Sequence, residues 1–545
     1  MKKDTNFLFA IAGTLLILIV YPLIMKQFFP QYFTPPQQAR QEDRTRALVD
    51  EHRQPSIQPA RPATTTYSST NSYVLTNNRY QVVVSEPAAD ITSIALLQVL
   101  EPATQQPTLL MHTDNKSPGI FNLDILEGVL PQNSEVLPDE ARFIYQLATQ
   151  LTVEKRVMLN EDDYGLVLEL IINNPTAQEQ KLHYKLIGAT GVTSSGGISN
   201  RYMEQTTLLE NKKIIKKNMG SIKGESLTPG DIKIVGLTTR YFALAAEPLF
   251  KADYAYNYKA DALETSSQSV IAGIGVNELI IPANGQVTQR IIVYAGPATH
   301  ADMSRLNLGF EDLRGKGVFA GLSELLLMLL RALHNIFRNY GLAVIALSII
   351  INLFLYPLTM KSLKSMKELQ AVQPEVEELR ARYKDPKDAQ KLNREIMELY
   401  KKHKTNPAGG CLPMLLQMPV FFALYGALMK SIELRGAGFL WIKDLSAPDA
   451  LFTVQALSKM PFLGSLTQGN INLLPFLMIV ASFYQQKMTT SQGKMSEQQK
   501  TMAIFMPIML GAIFYNFPAG LVLYFLTNTV FSCGIQMRIT KSLQR

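Results

Sequence analysis

The sequence predicts a polytopic α-helical membrane protein with six transmembrane helices, both termini inside, and one β-sandwich domain inserted on the outer side. Three observations support this fold class. Hydrophobic residues make up 47% of the 545 residues and cluster in long runs. A long stretch after the first run contains short segments of alternating apolar and polar residues, which are typical of β-strands. Lys and Arg concentrate in alternate loops, as cytosolic loops require.

The chain begins with a predicted transmembrane anchor, residues 1–28. Lys2 and Lys3 precede an apolar run from Phe7 to Met25, which supplies the roughly 20 residues that a bilayer core needs. The two lysines place the N-terminus in the cytosol. A cleaved signal peptide is the alternative, but no small-residue cleavage site follows the run. We therefore predict an uncleaved anchor.

Residues 29–72 are rich in Pro, Gln, Thr and Ser, a composition that favours a flexible linker. Residues 73–317 are predicted to form the β-sandwich, because apolar side chains such as Leu166, Leu168 and Leu170 alternate along short segments. The six histidines of the chain are dispersed without the spacing of metal ligands, and no G-x-S-x-G elbow occurs. We predict no catalytic residues, metal site or cofactor, and a docking or spacing role for this domain.

An interfacial amphipathic helix is predicted at residues 318–339, before a core of five transmembrane helices at residues 340–545. In the first core helix, Ser348, Asn352 and Tyr356 recur every four residues and therefore share one side. We expect that side to face a polar space. A seam of ordinary hydrogen bonds between helices is the alternative.

Residues 360–410 are predicted to form a cytosolic helical hairpin that turns at Asp385-Pro386. Its excess of Lys and Arg indicates the cytosolic side of the membrane. The hairpin is either a solvated cap or a surface that contacts incoming chains or the ribosome.

Two later predicted helices, at 473–485 and 502–515, are short. Segments of about 14 apolar residues do not comfortably cross a core of roughly 30 Å, so we expect local thinning of the bilayer or shielding by protein. The last helix ends near Met537, before Arg538 and Lys541. Six spans place both termini in the cytosol.

The stretch from Asn406 to Tyr425, NPAGGCLPMLLQMPVFFALY, combines an apolar run with two prolines and Gln417. Such groups are unfavourable against lipid and indicate neighbouring helices or a hydrated cavity, although a kinked, buried helix would also contain them. With other uncharged polar residues they predict a hydrophilic groove. The predicted groove residues are Ser348, Asn352, Tyr356, Gln417, Asn516, Tyr524, Thr527 and Asn528.

A hydrated groove would let a hydrophilic segment leave water in small steps, while the apolar helix that follows slides into lipid. This process needs no covalent chemistry. The predicted slide residues are Pro413, Met418, Pro419, Phe421, Phe505 and Phe514.

The segment GGCLPMLLQMPVFFALY, followed by FPAGLVLY at 517–524, resembles the paired signature of YidC-type membrane protein insertases, the YidC/Oxa/Alb family. The resemblance is close over about 340–545 and loose before it, where it suggests the Gram-negative branch with a large periplasmic domain. It implies an insertase and chaperone of the bacterial inner membrane that works alone or with the Sec translocon. The implied partners are nascent membrane proteins, the phospholipid bilayer, the ribosome and a targeting receptor.

One position departs from the family pattern. Gram-negative members usually carry a groove arginine four residues before Tyr-Pro-Leu-Thr, and here Asn352 occupies that position before Tyr356-Pro357-Leu358-Thr359. A mechanism in which a fixed cation attracts substrate carboxylates is therefore in doubt.

Two alternatives to an insertase are a transporter or channel and a membrane-anchored periplasmic carbohydrate-binding protein. The predicted spans show no carboxylate relay and no inverted repeat, which disfavours the transporter. Sequence-specific nucleic-acid binding is not expected, because the sidedness of the loops accounts for the net charge of +8.

Overall fold

The computed structural model describes residues 71–543 apart from short gaps. The predicted anchor and almost all of the predicted linker therefore lie outside the described residues. We call residues 71–297 the β-domain and residues 320–543 the helical core. The gaps are 102–103, 114–116, 162, 193–203, 223, 260–269, 315–318, 384–388, 404, 406–411, 455–466, 468 and 491–496.

The described part of the β-domain contains strands β1 to β17, which alternate with turns. Their bounds are β1 Ser72–Thr76, β2 Tyr80–Ser85, β3 Asp90–Leu100, β4 Pro107–His112, β5 Asn133–Val136, β6 Glu140–Gln146, β7 Thr152–Leu159, β8 Gly165–Asn174, β9 Gln180–Ala189, β10 Glu204–Leu209, β11 Ile214–Asn218, β12 Ser226–Pro229, β13 Ile232–Thr238, β14 Phe242–Pro248, β15 Tyr254–Lys259, β16 Val270–Ile281 and β17 Gly285–Pro297.

These strands form three antiparallel sheets. The largest has nine strands in the order β11-β10-β13-β14-β17-β8-β7-β6-β5, and the others are β12-β15-β16-β9 and β1-β2-β3-β4. Strand β7 alternates between buried and partly exposed residues along its whole length. Such alternation is expected when one sheet face packs on a core. The prediction of a β-rich domain is confirmed.

The nine-stranded sheet and the sheet containing β9 pack closely at Gly188. A Cβ atom added at Gly188 would lie 2.7 Å from the Cβ of Ala246 and 3.3 Å from a methyl carbon of Val235. Only glycine allows the two backbones to approach this closely.

A buried lysine joins the small N-terminal sheet to the large one. Lys155 on β7 has no exposed surface, and its Nζ donates to the carbonyl oxygens of Ala88 and Phe121, each at 2.7 Å. Burial lowers the pKa of Lys155 to about 7, while the charge of Asp90 opposes that shift. The lysine thus satisfies two carbonyl groups that apolar residues would leave unpaired.

Helices follow the β-domain. The short helix α1 is His300–Met303, and a 3-10 turn covers Phe310–Arg314. The helical core contains α2 Ala320–Phe337, α3 Tyr340–Ala371, α4 Gln373–Arg382, α5 Ala389–Lys402, α6 Leu412–Lys430, α7 Leu473–Thr490, α8 Glu497–Phe514 and α9 Ala519–Leu543, with a two-stranded ribbon of β18 Phe452–Thr453 and β19 Asn470–Ile471 between α6 and α7.

Several helices extend beyond their predicted apolar segments. Helix α3 continues through Pro357 to Ala371, and α7 and α8 are longer than the predicted 473–485 and 502–515. Their extensions are rich in Lys, Gln, Glu and Met, which favour helix in water. Hydropathy therefore locates the part of a helix that is suited to lipid, but it does not locate the residue at which the helix ends.

Three described helical segments are long and apolar enough to cross a membrane. They are Ala320–Phe337, Tyr340–Ser362 and Ala519–Arg538. The apolar parts of α6 and α8, Gln417–Met429 and Ala503–Phe514, are shorter. Because length and composition would also let α2 span a bilayer, its predicted interfacial position stays a prediction.

The predicted hairpin is helical in the structure. Helices α4 and α5 are linked where the Tyr383 hydroxyl donates to Glu395, and His403 lies 3.2 Å from the carboxylate of Glu375. The predicted turn at Asp385-Pro386 falls outside the described residues.

A carboxyl group is buried on β14 of the β-domain. Glu247 on β14 is 7% exposed, and its Oε2 and that of Glu311 are buried without a hydrogen-bond partner in the described part of the chain. Burial raises the pKa of Glu247 to about 7; the charge of Lys233 opposes the shift, and the charges of Glu210 and Glu311 increase it.

This environment predicts a stability effect that depends on pH. The folded state holds a proton on Glu247 up to about pH 7, whereas the unfolded state loses it near pH 4.5. Stability attributable to this group therefore falls as pH rises through that interval. We expect Glu247→Gln to raise the Tm of the full-length protein at pH 8 and to change it little at pH 4.

The matched control is Glu278→Gln, which changes an exposed carboxylate paired with Lys181. Its effect on Tm should be small at both pH values. Thermal unfolding in detergent, followed by circular dichroism, measures both variants. Equal effects of Glu247→Gln at pH 4 and pH 8 would contradict the assignment.

Candidate functional site

A hydrogen bond joins two helices of the core at predicted groove residues. The side-chain amide of Gln417 on α6 donates through Nε2 to the hydroxyl oxygen of Tyr524 on α9, at 2.6 Å. Tyr524 has no exposed surface. The bond pairs two polar groups that would be unfavourable if left unpaired among apolar helices.

The polar series on α3 bonds along its own helix. The hydroxyl of Ser348 donates to the carbonyl of Val344, and Nδ2 of Asn352 donates to the carbonyl of Ser348, both at 2.8 Å. Thr359 likewise donates to the carbonyl of its own helix one turn back. These bonds follow from helical geometry, which places a carbonyl four residues earlier within reach.

The same series differs in exposure along α3. Ser348 is fully buried, Asn352 is half-buried and Tyr356 is 41% exposed. Ser348 thus does not line an open surface in this structure. Asn352 uses only its amide nitrogen, and in the described part of the chain its Oδ1 accepts no hydrogen bond. Asn352 therefore keeps a half-buried side-chain carbonyl oxygen that can accept a hydrogen bond.

The remaining predicted groove residues lie in two places. Thr527 and Asn528 are partly buried on α9, where Thr527 donates to the carbonyl of Leu523 at 2.8 Å. Asn516 is exposed in the turn between α8 and α9. The structure thus separates Asn516 from the polar residues inside the helices.

Two predicted slide residues belong to an aromatic cluster between α6, α8 and α9. Phe421 and Phe514 have ring centroids 6.2 Å apart, and Phe525 lies 5.3 Å from Phe421 and 4.7 Å from Phe514. Phe517 and Tyr425 extend the cluster, with centroids 5.7 Å apart. Sequence reasoning missed Phe525 and Phe517, although their positions in and after FPAGLVLY were a signal.

The other slide residues differ in exposure. Phe514 is buried, whereas Phe505 on the same helix is 54% exposed. Met418 and Pro419 are partly buried on α6. The side chain of Pro413 lies outside the described residues. The predicted slide residues thus include one exposed aromatic side chain, Phe505, and two members of the cluster, Phe421 and Phe514.

No group of three or more His, Cys, Asp or Glu side chains is placed to hold a metal ion in the part of the chain that the structure describes. The polar side chains described above are uncharged. Their chemistry is hydrogen bonding and hydration.

Comparison with known proteins identifies the family. Residues 332–545 match the family described as 60Kd inner membrane protein, and residues 72–329 match the YidC periplasmic domain. A Pelobacter propionicus protein named membrane protein insertase YidC is 34% identical over 407 residues, which cover 73% of this chain and 71% of that protein. The chain belongs to the YidC family of membrane protein insertases. The prediction made from the paired signature is confirmed.

Another relative agrees with this assignment to the YidC family. The insertase of Geotalea uraniireducens is 35% identical over 408 residues, covering 72% of this chain and 70% of that protein. A crystal structure of active YidC insertase with its first transmembrane domain resolved aligns over 87% of this chain and 93% of that chain, with 19% identity and a TM-score of 0.38.

Family membership decides between the functions considered from sequence. Relatives are named as insertases and not as enzymes, transporters or carbohydrate-binding proteins. YidC members are inner membrane proteins with a periplasmic domain, and strands β1 to β17 lie within the segment that matches it.

The Gln417 and Tyr524 pair predicts a measurable coupling. Tyr524→Phe removes the acceptor and should lower the free energy of unfolding by about 1 kcal/mol. Gln417→Leu should have a similar effect. The double variant should lose less unfolding free energy than the sum of the two single losses, because both substitutions remove the same hydrogen bond. Thermal unfolding of full-length variants in detergent tests this cycle.

Tyr484→Phe is the control, because Tyr484 on α7 is 54% exposed. We expect its Tm to match that of the unaltered protein. Strictly additive effects at 417 and 524 would mean that the two side chains do not stabilise each other.

Proposed function

We propose that this chain moves nascent transmembrane segments from the cytosol into the inner membrane through a hydrated groove, acting alone as an insertase or beside the Sec translocon as a chaperone. Membership of the YidC family supports insertion as the activity. The groove, its residues and its direction are our proposal.

The observation that carries the proposal is a set of neutral polar side chains beside short apolar segments. At about 1.5 Å per residue, Gln417–Met429 and Ala503–Phe514 cover roughly 20 Å, less than the roughly 30 Å of a bilayer core. The bilayer beside them would thin or admit water. Asn352, half-buried with an available acceptor, fits such a hydrated space.

We propose that the aromatic cluster around Phe421 and the exposed Phe505 form the path by which the apolar helix reaches lipid. Aromatic and apolar side chains bury a passing helix without requiring specific partners. The neutral groove lowers the free-energy cost of moving the hydrophilic segment beside the transmembrane helix out of water. The apolar path then contacts the helix itself. Each surface accepts many sequences.

We also propose six spans with both termini in the cytosol. The domains are an anchor at 1–28, a linker at 29–72, a periplasmic β-sandwich at 73–317, an interfacial helix at 318–339 and an insertase core at 340–545. The basic excess of the hairpin, 360–410, supports its cytosolic placement.

The hairpin is the proposed contact for the ribosome, the targeting receptor and emerging chains. Its helices carry many charged side chains, which favour rapid electrostatic encounters. Met397 on α5 is 50% exposed and offers an apolar contact among these charges. A flexible thioether adapts to varied apolar segments.

Topology is tested by labelling single cysteines in a variant that lacks Cys411 and Cys533. A membrane-impermeant maleimide added to intact spheroplasts should label a cysteine at Lys181 in the β-domain and should not label one at Lys387. Both should react after permeabilisation. Labelling at Lys387 from outside would overturn the proposed orientation.

Insertion by hydration is tested at Asn352. Asn352→Gln and Asn352→Ser should retain insertion of a substrate with an acidic N-terminal tail, and Asn352→Leu should impair it. Asn352→Arg should be tolerated, because water in the groove removes most of the penalty of about 3 kcal/mol for a charge at the bilayer centre. Insertion into proteoliposomes is measured at matched protein levels.

Phe354 is the matched control on the same helix, because it is 82% exposed on the bundle surface. Phe354→Leu should insert normally, and a cysteine at 354 should resist a water-soluble maleimide that labels a cysteine at 352. An active Leu variant together with an unreactive cysteine at 352 would refute the hydrated groove.

A further inference from the structure

The loop between α6 and α7, residues 431–472, carries an exposed leucine at the tip of a tight turn. Phe439 and Ile442 exchange two backbone hydrogen bonds of 2.9 Å each, which close a two-residue turn of Leu440 and Trp441. The side chain of Leu440 is 76% exposed, and its φ of 53° lies in the left-handed region. The first position of such a turn favours glycine, asparagine or aspartate. Neither packing within the chain nor backbone preference therefore explains a leucine here.

The turn lies at the end of the helical core where two long apolar helices begin. The ring of Phe439 packs on Gly341 in the first turn of α3, where an added Cβ atom would lie 2.1 Å from that ring. The backbone N–H of Ala519, the first residue of α9, donates to the carbonyl of Ala447 in the same loop at 2.7 Å. Both helices contain segments long and apolar enough to cross a membrane. The loop that contacts their first turns therefore lies at a membrane surface.

That surface is the periplasmic one. The guanidinium of Arg240 donates through Nη2 to the carbonyl of Ser446 in this loop, at 2.8 Å, and through Nε to the carbonyl of Met429 near the end of α6. Arg240 lies within residues 72–329, which match the YidC periplasmic domain. The loop and the β-domain thus lie on the same side, and the lipids nearest to the loop are those of the outer leaflet.

The side chains beside Leu440 are those that membrane interfaces favour. Trp441 is the only tryptophan of the chain, and its Nε1 donates to Oδ2 of Asp449 at 3.3 Å. Lys443 is exposed two residues later. Tryptophan is enriched at the boundary between lipid and water, and a lysine can lay its stem along apolar surface while its ammonium stays at the level of the phosphates. The turn thus presents an apolar tip, an interfacial aromatic ring and a cation.

The same loop has a second exposed aromatic side chain, Phe452, which is 62% exposed on β18. Its partner strand β19 ends at Ile471, shortly before α7 begins at Leu473. Phe452 therefore also lies close to a helix end. Single exposed apolar side chains are ordinary on water-soluble surfaces. Two of them in one loop, both beside the ends of core helices, are suited to contact with lipid.

We propose that the turn at residues 439–442 inserts Leu440 into the outer leaflet of the bilayer, with Trp441 at the level of the lipid headgroups and Phe452 as a second point of contact. The occupant of this surface is phospholipid. Transfer of the leucine side chain out of water is favourable and offsets its unfavourable backbone conformation. Interfacial segments of this kind reach about 5–10 Å into the boundary between headgroups and acyl chains.

This contact goes beyond the proposed function and does not depend on the hydrated groove. Because the loop is joined to the first turns of α3 and α9, its contact with lipid would fix the depth at which the outer ends of these two helices lie in the membrane.

The single tryptophan allows the contact to be measured in the full-length protein. The protein is reconstituted at a low ratio of protein to lipid in vesicles whose phosphatidylcholine carries bromine, a fluorescence quencher, either near the glycerol end or near the methyl end of its acyl chain. We expect the lipid brominated near the glycerol end to remove more of the Trp441 emission. Acrylamide, a quencher dissolved in water, should remove little.

Leu440→Gly separates contact with lipid from stability of the turn. Glycine suits the left-handed backbone at this position, so the Tm of this variant in detergent should be unchanged or higher. Its Trp441 emission should lose part of the quenching by brominated lipid and gain quenching by acrylamide. Leu130→Gly is the matched control, because Leu130 is a comparably exposed leucine of the β-domain. Both kinds of quenching should stay unchanged in this control.

Three outcomes would overturn the proposal. Quenching by acrylamide and not by brominated lipid would show that the turn faces water. Protection of Trp441 from both quenchers would show that protein covers the turn, from this chain or from a second copy. Equal quenching by brominated lipid in Leu440→Gly and in the unaltered protein would show that Leu440 does not hold the turn in the leaflet. None of these measurements requires insertion activity, so they test the lipid contact separately from the proposed function.

Discussion

Hydrogen bonding within the protein is the constraint on which the helical core depends, because lipid offers no partner to a polar group. Ser348, Asn352 and Thr527 meet it by donating to carbonyls one turn earlier on their own helices. Gln417 and Tyr524 meet it by pairing between helices. The first solution forms no hydrogen bond between helices, and the second joins α6 to α9.

The same constraint shapes the end of the helical core that faces the β-domain. The carboxylate of Asp449 accepts the N–H groups of Leu473 and Leu474, at 2.7 and 2.9 Å, and so caps α7 where the helix dipole favours negative charge. The amide of Asn472, which is fully buried, donates to the carbonyl of Tyr515 at the end of α8. Helix ends that would otherwise expose unpaired groups are closed by the connecting loops.

Local sequence patterns allowed the helices and the family to be predicted. Contacts between residues far apart in the sequence could not be predicted. Apolar runs and helical spacing predict α3 and the hairpin because each signal lies within a few turns. The bond from Arg240 to Met429 joins residues 189 positions apart, and nothing near either residue indicates the other. The polar spacing of Ser348 and Asn352 was visible, but the burial of Ser348 depends on neighbouring helices.

The two kinds of hydrogen bond connect the two sides of the proposed groove to the rest of the helical core in different ways. Helix α3 contributes Asn352, whose bond stays within its own helix and so does not join α3 to a neighbour. Helices α6 and α9 are joined by Gln417 and Tyr524, and their ends facing the β-domain are held by Arg240 and the Ala447 carbonyl. Helix α3 is held by packing instead, and it packs more extensively against α9 than α6 does. On this argument the two walls of the proposed groove are both attached to α9, the α3 wall by packing and the α6 wall by a hydrogen bond as well.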